Sequence, residues 1–170
     1  MWIMTIIKDI LEVHCPEEGR FFFYGSFMQG FTAHVSEDIS TSFSLVGEAQ
    51  VGGYLIDFGV CPMALPSLDG SKVVGEVWQI NDRQKLVDRI KQLDQYKRFS
   101  VSNKLGSLFV RTLETITLKR GGSTTGWVYW GNPKKCGHLL YDRGSIKSGD
   151  WRSFKKESHE DEGTHLSSRR

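Results

Sequence analysis

The residues in this sequence that are best placed to do chemistry lie where an apolar run ends in a glycine. The run Phe21–Tyr24 is continuous and aromatic, as in a strand buried on both faces, and Gly25, Ser26 and Phe27 follow it. A glycine at the end of a buried strand allows successive main-chain N–H groups to converge on one point, which suits a carboxylate or another anion. The same residues are also typical of an ordinary turn. Residues 24–27 are therefore a candidate anion-binding loop.

Two glutamates lie at strand positions that otherwise carry apolar side chains. Glu114 alternates with the apolar residues of the stretch 108–118, and Glu76 alternates with those of the stretch 73–80. Both side chains are therefore predicted on inward faces, where a carboxylate could act on a ligand. Each is also consistent with a carboxylate at the rim of a barrel, or with one that pairs with an arginine such as Arg111.

Lys97 is likewise predicted to lie on the inward side of its element, which is a helix. Lys97 comes eleven residues after Leu86, which returns it to nearly the same side of a helix. Three interpretations are open: a lysine that reaches water from a helix end, a pocket lysine in an ion pair, and a desolvated lysine that acts as a base.

Other chemical motifs are incomplete. Residues 25–30 have the glycine spacing of a phosphate-binding loop, but Phe31 and Thr32 stand where that loop needs its lysine. Neither a dinucleotide-binding glycine motif nor a G-x-S-x-G nucleophile motif is present. Cys136 and His138 lack a second pair at zinc spacing. The formal net charge of +2 and the lack of a basic run interleaved with aromatics argue against nucleic acid as a partner. We expect no metal and no cofactor.

Short strands and one long helix must position these residues. Strands are predicted over residues 45–51, 53–58, 73–80, 108–118 and 126–130, each bounded by turn residues. A helix is predicted over residues 82–98, with Asn81 as its N-cap and Gln84 as the capping-box partner. The pattern indicates an α+β fold in which mostly antiparallel strands curl into a small barrel.

Composition divides the chain into three parts. Residues 1–20 are predicted to be an N-terminal helical extension, residues 21–151 a single domain, and residues 152–170 a charged, disordered tail. The first apolar stretch is too short to span a bilayer and lacks the features of a signal peptide. An odd number of widely spaced cysteines favours a reducing compartment, so we expect a cytoplasmic protein. The oligomeric state is not predicted.

Six short motifs appear in order along the chain. They are YGSFMQG at 24–30, GGYLIDFGVCPMALPS at 52–67, GEVWQI at 75–80, LDQYKRF at 93–99, TGWVYW at 125–130 and SGDW at 148–151. Together they make residues 21–151 resemble the γ-glutamyl cyclotransferase-like family, also called AIG2-like. The resemblance implies a small β-barrel with flanking helices and a cavity at its mouth. It also implies cleavage of γ-glutamyl amides to 5-oxoproline and a free amine, without metal or cofactor.

The resemblance also implies how a substrate would be held. In the family reaction the α-amine of the substrate attacks its own γ-carbonyl, so orienting the bound glutamyl chain is a large part of catalysis. The ligand is therefore expected to be a small γ-glutamyl or amino-acid-like molecule. The residues that match the family's binding positions are Tyr24, Gly25, Ser26 and Phe27, whose main chain would hold the α-carboxylate, and Tyr129, which would close over the ligand.

The catalytic position departs from the family pattern. The family has a glutamate in an L-D-x-x-E motif, acting as base toward the α-ammonium and then as acid toward the leaving amine, and this chain has Lys97 there. Lys97 itself would have to do this work, or Glu114 or Glu76 would have to substitute. Asp94, in the same motif, is expected to bond to the backbone. Two main functions stay open: a cyclotransferase, or a non-catalytic metabolite-binding or interaction module on the same fold. A third is a different acyl-transfer or amide chemistry in the same cavity, because one fold hosts unrelated reactions.

Overall fold

A computed structural model describes residues 19–59, 61–100, 103 and 106–158. The strands are β1 (Arg20–Phe23), β2 (Phe43–Asp57), β3 (Pro62–Pro66), β4 (Lys72–Ile80), β5 (Phe109–Leu118) and β6 (Ser123–Gly131). The helices are α1 (Thr32–Ser36), α2 (Ile39–Ser42), α3 (Leu86–Tyr96), α4 (Pro133–Cys136), α5 (His138–Arg143) and α6 (residues 151–158), and a 3-10 turn spans Arg83–Lys85. Within these described ranges no helix has the length and apolarity needed to cross a membrane.

Five strands close into a barrel. Their order is β2-β4-β1-β6-β5, and β5 pairs back onto β2 through Ala49–Leu118 and Gln50–Thr117. The pairings around the barrel are antiparallel except that of β1 with β6, which is parallel. The predicted α+β fold, a small and mostly antiparallel β-barrel with flanking helices, is confirmed.

The middle of the chain contains more strand than the sequence predicts. β2 is continuous through Gly52, where two separate strands are predicted, and β3 adds to its outer edge. The prolines at both ends of β3 argue against a strand in a sequence, but an edge strand tolerates them. Gly53 is needed for a close approach, because a Cβ there would lie 2.7 Å from the carbonyl oxygen of Leu65 on β3.

Alternate residues of β1 build the two layers of the core. Phe22 pairs with Val77 of β4 and Val128 of β6, and its ring lies 6.3 Å from that of Tyr24. Phe21 and Phe23 point to the opposite side, where both rings contact Phe43 at centroid distances of 5.5 and 6.0 Å. All are buried, and burying each such side chain contributes about 1.5–3 kcal/mol. The opening strand is therefore fixed from both faces.

The long helix begins later than the sequence predicts. The carboxylate of Asp82, and not the side chain of Asn81, accepts a hydrogen bond from the Gln84 N–H at 3.0 Å, so Asp82 caps the 3-10 turn. Asn81 instead accepts a bond from the hydroxyl of Ser44. The predicted N-cap was therefore wrong by one residue, and α3 proper starts at Leu86.

The end of α3 forms a Schellman motif that directs the chain back toward the barrel. The Phe99 N–H donates to the Asp94 carbonyl at 2.9 Å, and the Arg98 N–H donates to the Gln95 carbonyl at 3.1 Å. Arg98, between Lys97 and Phe99, has a φ of 50°, which is a left-handed conformation that glycine usually adopts at this position of the motif. Lys97 is the C-cap residue immediately before it.

The start of the predicted disordered tail is ordered. Residues 151–158 form α6, and Trp151 is buried with its ring stacked on Phe154 at 5.4 Å. The prediction of disorder was therefore wrong for residues 152–158, because Phe154 and the Arg152 side chain find partners in the barrel that local composition cannot reveal. Of the predicted N-terminal helical extension, residues 1–20, the first 18 lie outside the described residues, and Arg20 belongs to β1. The tail after residue 158 also lies outside the described residues.

Replacing Arg98 with glycine should stabilise the protein. A left-handed conformation costs an L-residue about 1–2 kcal/mol, and the greater freedom of glycine in the unfolded chain offsets part of this. We expect Arg98→Gly to raise the free energy of unfolding by about 0.5–1 kcal/mol in urea titrations. The control is Arg83→Gly at a position with negative φ, which should lower it by a similar amount. Equal effects of the two variants would contradict this reading of the helix end.

Candidate functional site

The predicted binding loop and Lys97 meet at one small hollow. The residues that line it are Phe22, Phe23, Tyr24, Gly25, Ser26, Phe27, Lys97 and Tyr129, and its volume is about 10 Å³. We call it the Lys97 hollow. Six of the eight residues named from the sequence as binding or catalytic candidates lie here, and Glu76 and Glu114 do not. The hollow brings together elements from β1, β6 and the end of α3.

The loop after β1 presents main-chain donors to this hollow. Its turn is closed by a 2.9 Å hydrogen bond from the Met28 N–H to the Gly25 carbonyl. No described residue accepts a hydrogen bond from the N–H groups of Gly25, Ser26 or Phe27. Such consecutive unpaired N–H groups form an anion-binding concavity. Gly25 is required here because a Cβ would lie 2.6 Å from the Pro62 ring.

Two buried side chains hold the outer side of this loop. His34 is buried and its Nδ1 lies 2.8 Å from the Phe27 carbonyl oxygen. Because that oxygen can only accept, the Nδ1 atom must carry the hydrogen. On the other side, the Gln29 N–H donates to the Glu76 carboxylate at 2.9 Å. The loop is therefore fixed from behind while the donors on its inner side stay unpaired.

Lys97 lies among aromatic rings with no counter-ion. Its Nζ is 4.8 Å from the ring centre of Phe27, 5.0 Å from that of Phe109 and 5.9 Å from that of Tyr96. No carboxylate in the described part of the chain lies within 4.0 Å of it. Burial lowers the pKa of Lys97 to about 8, and the nearby Cys61 opposes this shift. Of the three interpretations of Lys97, the ion-paired pocket lysine is therefore not seen among the described residues.

Glu76 is fully engaged in a network behind the binding loop. Besides the Gln29 N–H, its carboxylate accepts from the indole N–H of Trp78 at 2.9 Å and from Nη2 of Arg152 at 2.6 Å. The same Arg152 nitrogen donates to the Gln29 carbonyl at 3.0 Å. Glu76 is 4% exposed. The network joins the loop to α6 and leaves this carboxylate away from the hollow.

Glu114 lies at the wall between β5 and β6. Its carboxylate accepts from the hydroxyl of Thr112 at 2.6 Å and from the indole N–H of Trp130 at 3.2 Å. It does not line the Lys97 hollow. Arg111, suggested from the sequence as a partner for a glutamate, pairs with Asp94 instead.

The Asp94 pair is the feature that sequence reasoning missed. Both Asp94 oxygens accept from Arg111, at 2.9 and 3.2 Å, and the Tyr129 hydroxyl donates to the same carboxylate at 2.6 Å. The expectation that Asp94 bonds to backbone was wrong for its side chain. The guanidinium of Arg111 also lies 4.3 Å from the ring centre of Trp127. Arg111 of β5 faces Tyr129 of β6, and this pairing of two donors was the available signal for a shared acceptor.

The two tyrosines of the hollow are held by hydrogen bonds. The Tyr24 hydroxyl donates to the Tyr129 carbonyl at 2.5 Å and accepts from the Ala64 N–H at 3.4 Å. Burial raises the pKa of Tyr24 above its usual range, and burial together with the Asp94 charge raises that of Tyr129. Both hydroxyls therefore stay protonated, and they anchor the wall of the hollow to β3 and α3.

Larger surface grooves exist elsewhere. One of about 540 Å³ includes Met28, Gly75 and the exposed Glu48–Lys119 pair, and one of about 330 Å³ includes Arg89 and Tyr96. Neither contains an unpaired desolvated charge. Across residues 19–59, 61–100, 103 and 106–158, no three histidine, cysteine, aspartate or glutamate side chains are grouped to hold a metal ion.

An α+β barrel with main-chain donors at the end of its first strand defines a recognisable class. The family model described as gamma-glutamyl cyclotransferase, AIG2-like, matches residues 21–153. This chain belongs to that family. A comparison with curated protein sequences finds no match.

Solved structures of low sequence identity have the same fold. YkqA from Bacillus subtilis is 18% identical with a TM-score of 0.61, and the match covers 84% of this chain and 43% of YkqA. An AIG2-like protein from Mus musculus is 21% identical with a TM-score of 0.56, covering 75% of this chain and 85% of the mouse protein. An uncharacterised protein from Pyrococcus horikoshii is 21% identical with a TM-score of 0.53, covering 83% and 96%. The chain thus spans less than half of YkqA.

Lys97 should cost the folded state stability. Its pKa of about 8 is below that of an exposed lysine, so the unfolded chain binds the extra proton between about pH 8 and 10.5. The resulting loss in the free energy of unfolding is present in full below pH 8 and disappears as the pH rises toward 10.5. After discounting for partial exposure, Lys97→Met should raise the free energy of unfolding at pH 7 by about 1–3 kcal/mol, with little gain near pH 10.5.

The matched control for this prediction is Lys91→Met, at an exposed lysine of the same helix. It should change the free energy of unfolding by no more than about 0.5 kcal/mol at either pH. Denaturant titrations at pH 7 and 10.5 measure both. A destabilised Lys97→Met variant, or a gain that does not depend on pH, would rule out a desolvated ammonium.

Removing the charge of Glu76 should release the binding loop and α6 together. Glu76→Gln replaces three charge-assisted hydrogen bonds with weaker ones and leaves Arg152 without its partner, so we expect a loss of about 1–3 kcal/mol in the free energy of unfolding. Glu48→Gln is the control, since its ion pair with Lys119 is exposed and should contribute about 0–1 kcal/mol. Similar losses in both variants would show that Glu76 is not an anchor.

Proposed function

We propose that the protein binds a small γ-glutamyl or amino-acid-like carboxylate in the Lys97 hollow and cleaves γ-glutamyl amides to 5-oxoproline and a free amine. The observation that carries the proposal is the position of Lys97. Its unpaired, desolvated amine lines the same hollow as the unpaired N–H groups of the loop 25–27. An anion-binding loop beside a proton carrier is the combination that this reaction needs. Membership of the family supports the reaction class.

The loop supplies the binding step. A carboxylate oxygen accepts more strongly from N–H groups than a neutral carbonyl does, because the bond is assisted by charge. The N–H groups of Gly25, Ser26 and Phe27 are held in place by the contacts of His34 and Glu76 with the loop. Little reorganisation is therefore needed when the α-carboxylate of a ligand arrives.

The size of the hollow requires Lys97 to move when a ligand binds. A volume of about 10 Å³ holds about one water molecule, which is far less than a glutamyl group. In the described part of the chain neither a hydrogen bond nor an ion pair holds the Lys97 ammonium, so its side chain is free to move to the edge of the hollow, within reach of a bound α-amine. Displacement of this one side chain opens the loop to the ligand.

Lys97 would then carry the proton of the reaction. Its neutral amine accepts a proton from the α-ammonium of the substrate, and the α-nitrogen attacks the γ-carbonyl carbon as the bond to the leaving nitrogen breaks. The resulting Lys97 ammonium returns this proton to the leaving nitrogen, which departs as a neutral amine, and the new lactam nitrogen loses its second proton to water. A pKa of about 8 suits both steps near neutral pH, whereas an ordinary lysine would hold its proton too tightly. Neither Glu76 nor Glu114 is placed to take this role.

A non-catalytic module is the second candidate function. It is favoured by the positive charge of Lys97 at low pH, which attracts the carboxylate of a ligand but repels its α-ammonium. In this alternative the loop and the lysine bind a small carboxylate and no bond is cleaved.

A panel of substrates separates the two functions. The protein is incubated with γ-glutamyl amino acids, glutathione and γ-glutamyl-lysine, and 5-oxoproline is measured from pH 6 to 10. We expect release that rises with pH through about 8, as Lys97 loses its proton, and that is lost in Lys97→Met but kept in Lys91→Met. Lys97→Glu should be active with less dependence on pH in this range, because a carboxylate is already ionised. If no substrate releases 5-oxoproline while the protein still binds a carboxylate, the enzyme proposal is wrong and the non-catalytic module is favoured.

A further inference from the structure

The Lys97 amine has the surroundings that favour reaction with a small electrophile. It is flanked by three aromatic rings, it has no ion pair or hydrogen bond among the described residues, and it is only partly buried, so small molecules can reach it. A lysine with a pKa of about 8 has roughly 300-fold more neutral amine at pH 7 than an exposed lysine has. The neutral amine is the nucleophilic form.

We propose that Lys97 is a reversible carbon dioxide-binding site, at which carbon dioxide from solution is held as a lysine carbamate. The nitrogen lone pair of the neutral amine attacks the carbon of carbon dioxide, and an N–C bond forms while one C–O π pair moves onto oxygen. The nitrogen then loses one proton to water. One carbamate anion and one proton are produced from one amine and one carbon dioxide, with no change of oxidation state.

The hollow can stabilise the product as well as the reactant. A carbamate carries a negative charge on two oxygens. Gly25, Ser26 and Phe27 line the same hollow, and their N–H groups have no acceptor in the described chain. Unpaired main-chain donors of this kind favour a bound anion. Carbon dioxide adds only three heavy atoms, so it needs a smaller displacement of the Lys97 side chain than a glutamyl chain does.

Other titratable groups near Lys97 do not compete for these donors. The hydroxyls of Tyr24, which follows β1, and of Tyr129 in β6 are held by hydrogen bonds and stay protonated. Asp94 of α3 is neutralised by Arg111 of β5. The remaining groups that face Lys97 are the Tyr96 phenol of α3 and the Cys61 thiol, which precedes β3 and interacts electrostatically with the amine.

The modification would give the chain a carboxylate at position 97. Such a group would remove the neutral amine and occupy the donors that the α-carboxylate of a substrate needs, so carbon dioxide would inhibit cleavage, and this consequence rests on the proposed function. Carbamate formation itself does not rest on it, because it requires only the amine, the donors and carbon dioxide. The two claims can therefore fail separately.

Carbon-13 NMR of the full chain in labelled bicarbonate tests the modification. We expect a carbamate resonance in the wild type and in Lys91→Met that is absent from Lys97→Met and Lys97→Arg and disappears when carbon dioxide is removed. Trapping of the carbamate by alkylation, followed by peptide mass spectrometry, should place the added mass on Lys97. Identical spectra of wild type and both Lys97 variants would overturn the inference. Circular dichroism of each variant confirms that it is folded.

The release of 5-oxoproline with and without bicarbonate separates this inference from the proposed function. A wild-type rate that falls with bicarbonate, beside a Lys97→Glu rate that does not change, supports both. A carbamate resonance without release from any substrate supports the modification and defeats the enzyme. Release without carbon dioxide and without a carbamate resonance defeats the modification alone.

Discussion

The ion pair between Asp94 and Arg111 is the interaction on which the rest of the site depends. The two side chains are 14% and 6% exposed, and the Tyr129 hydroxyl donates to the same carboxylate. A buried pair of this kind is held in one geometry, because moving either partner leaves a charge without compensation. It fastens the last turn of α3 to β5 and β6. Since Lys97 follows that turn directly, the pair decides where the amine lies.

A second buried network places the anion-binding loop. Glu76 holds the Gln29 N–H, the Trp78 indole and Arg152, so it ties the loop both to the barrel and to α6. The two networks lie next to the Lys97 hollow but use none of the main-chain N–H groups of residues 25–27. Lys97 is the local exception: a desolvated, uncompensated cation lowers stability, and such costs are typical of functional positions.

Much of the fold and of the binding loop is predictable from sequence because the signals are local. The aromatic run before Gly25, the alternation in the strands and the periodicity of α3 lead to the α+β barrel and to the place of Lys97 on the inner side of its helix. β3 is not predictable in this way, since prolines conceal an edge strand. The order in residues 152–158 also escapes local composition, because Trp151 and Arg152 depend on distant partners.

The sequence by itself determined the class of fold, the family, and a lysine at the position where the family pattern has a glutamate. Only the tertiary structure decided which polar groups pair. Arg111 could have matched any of three carboxylates on periodicity alone, and Arg152 reaches a glutamate 76 positions away. Alternation along a strand gives the side of the sheet on which a charge lies, but not its neighbour across the barrel. Those long-range pairs engage Asp94 with Arg111 and Glu76 with Arg152, and they leave Lys97 without a counter-ion among the described residues.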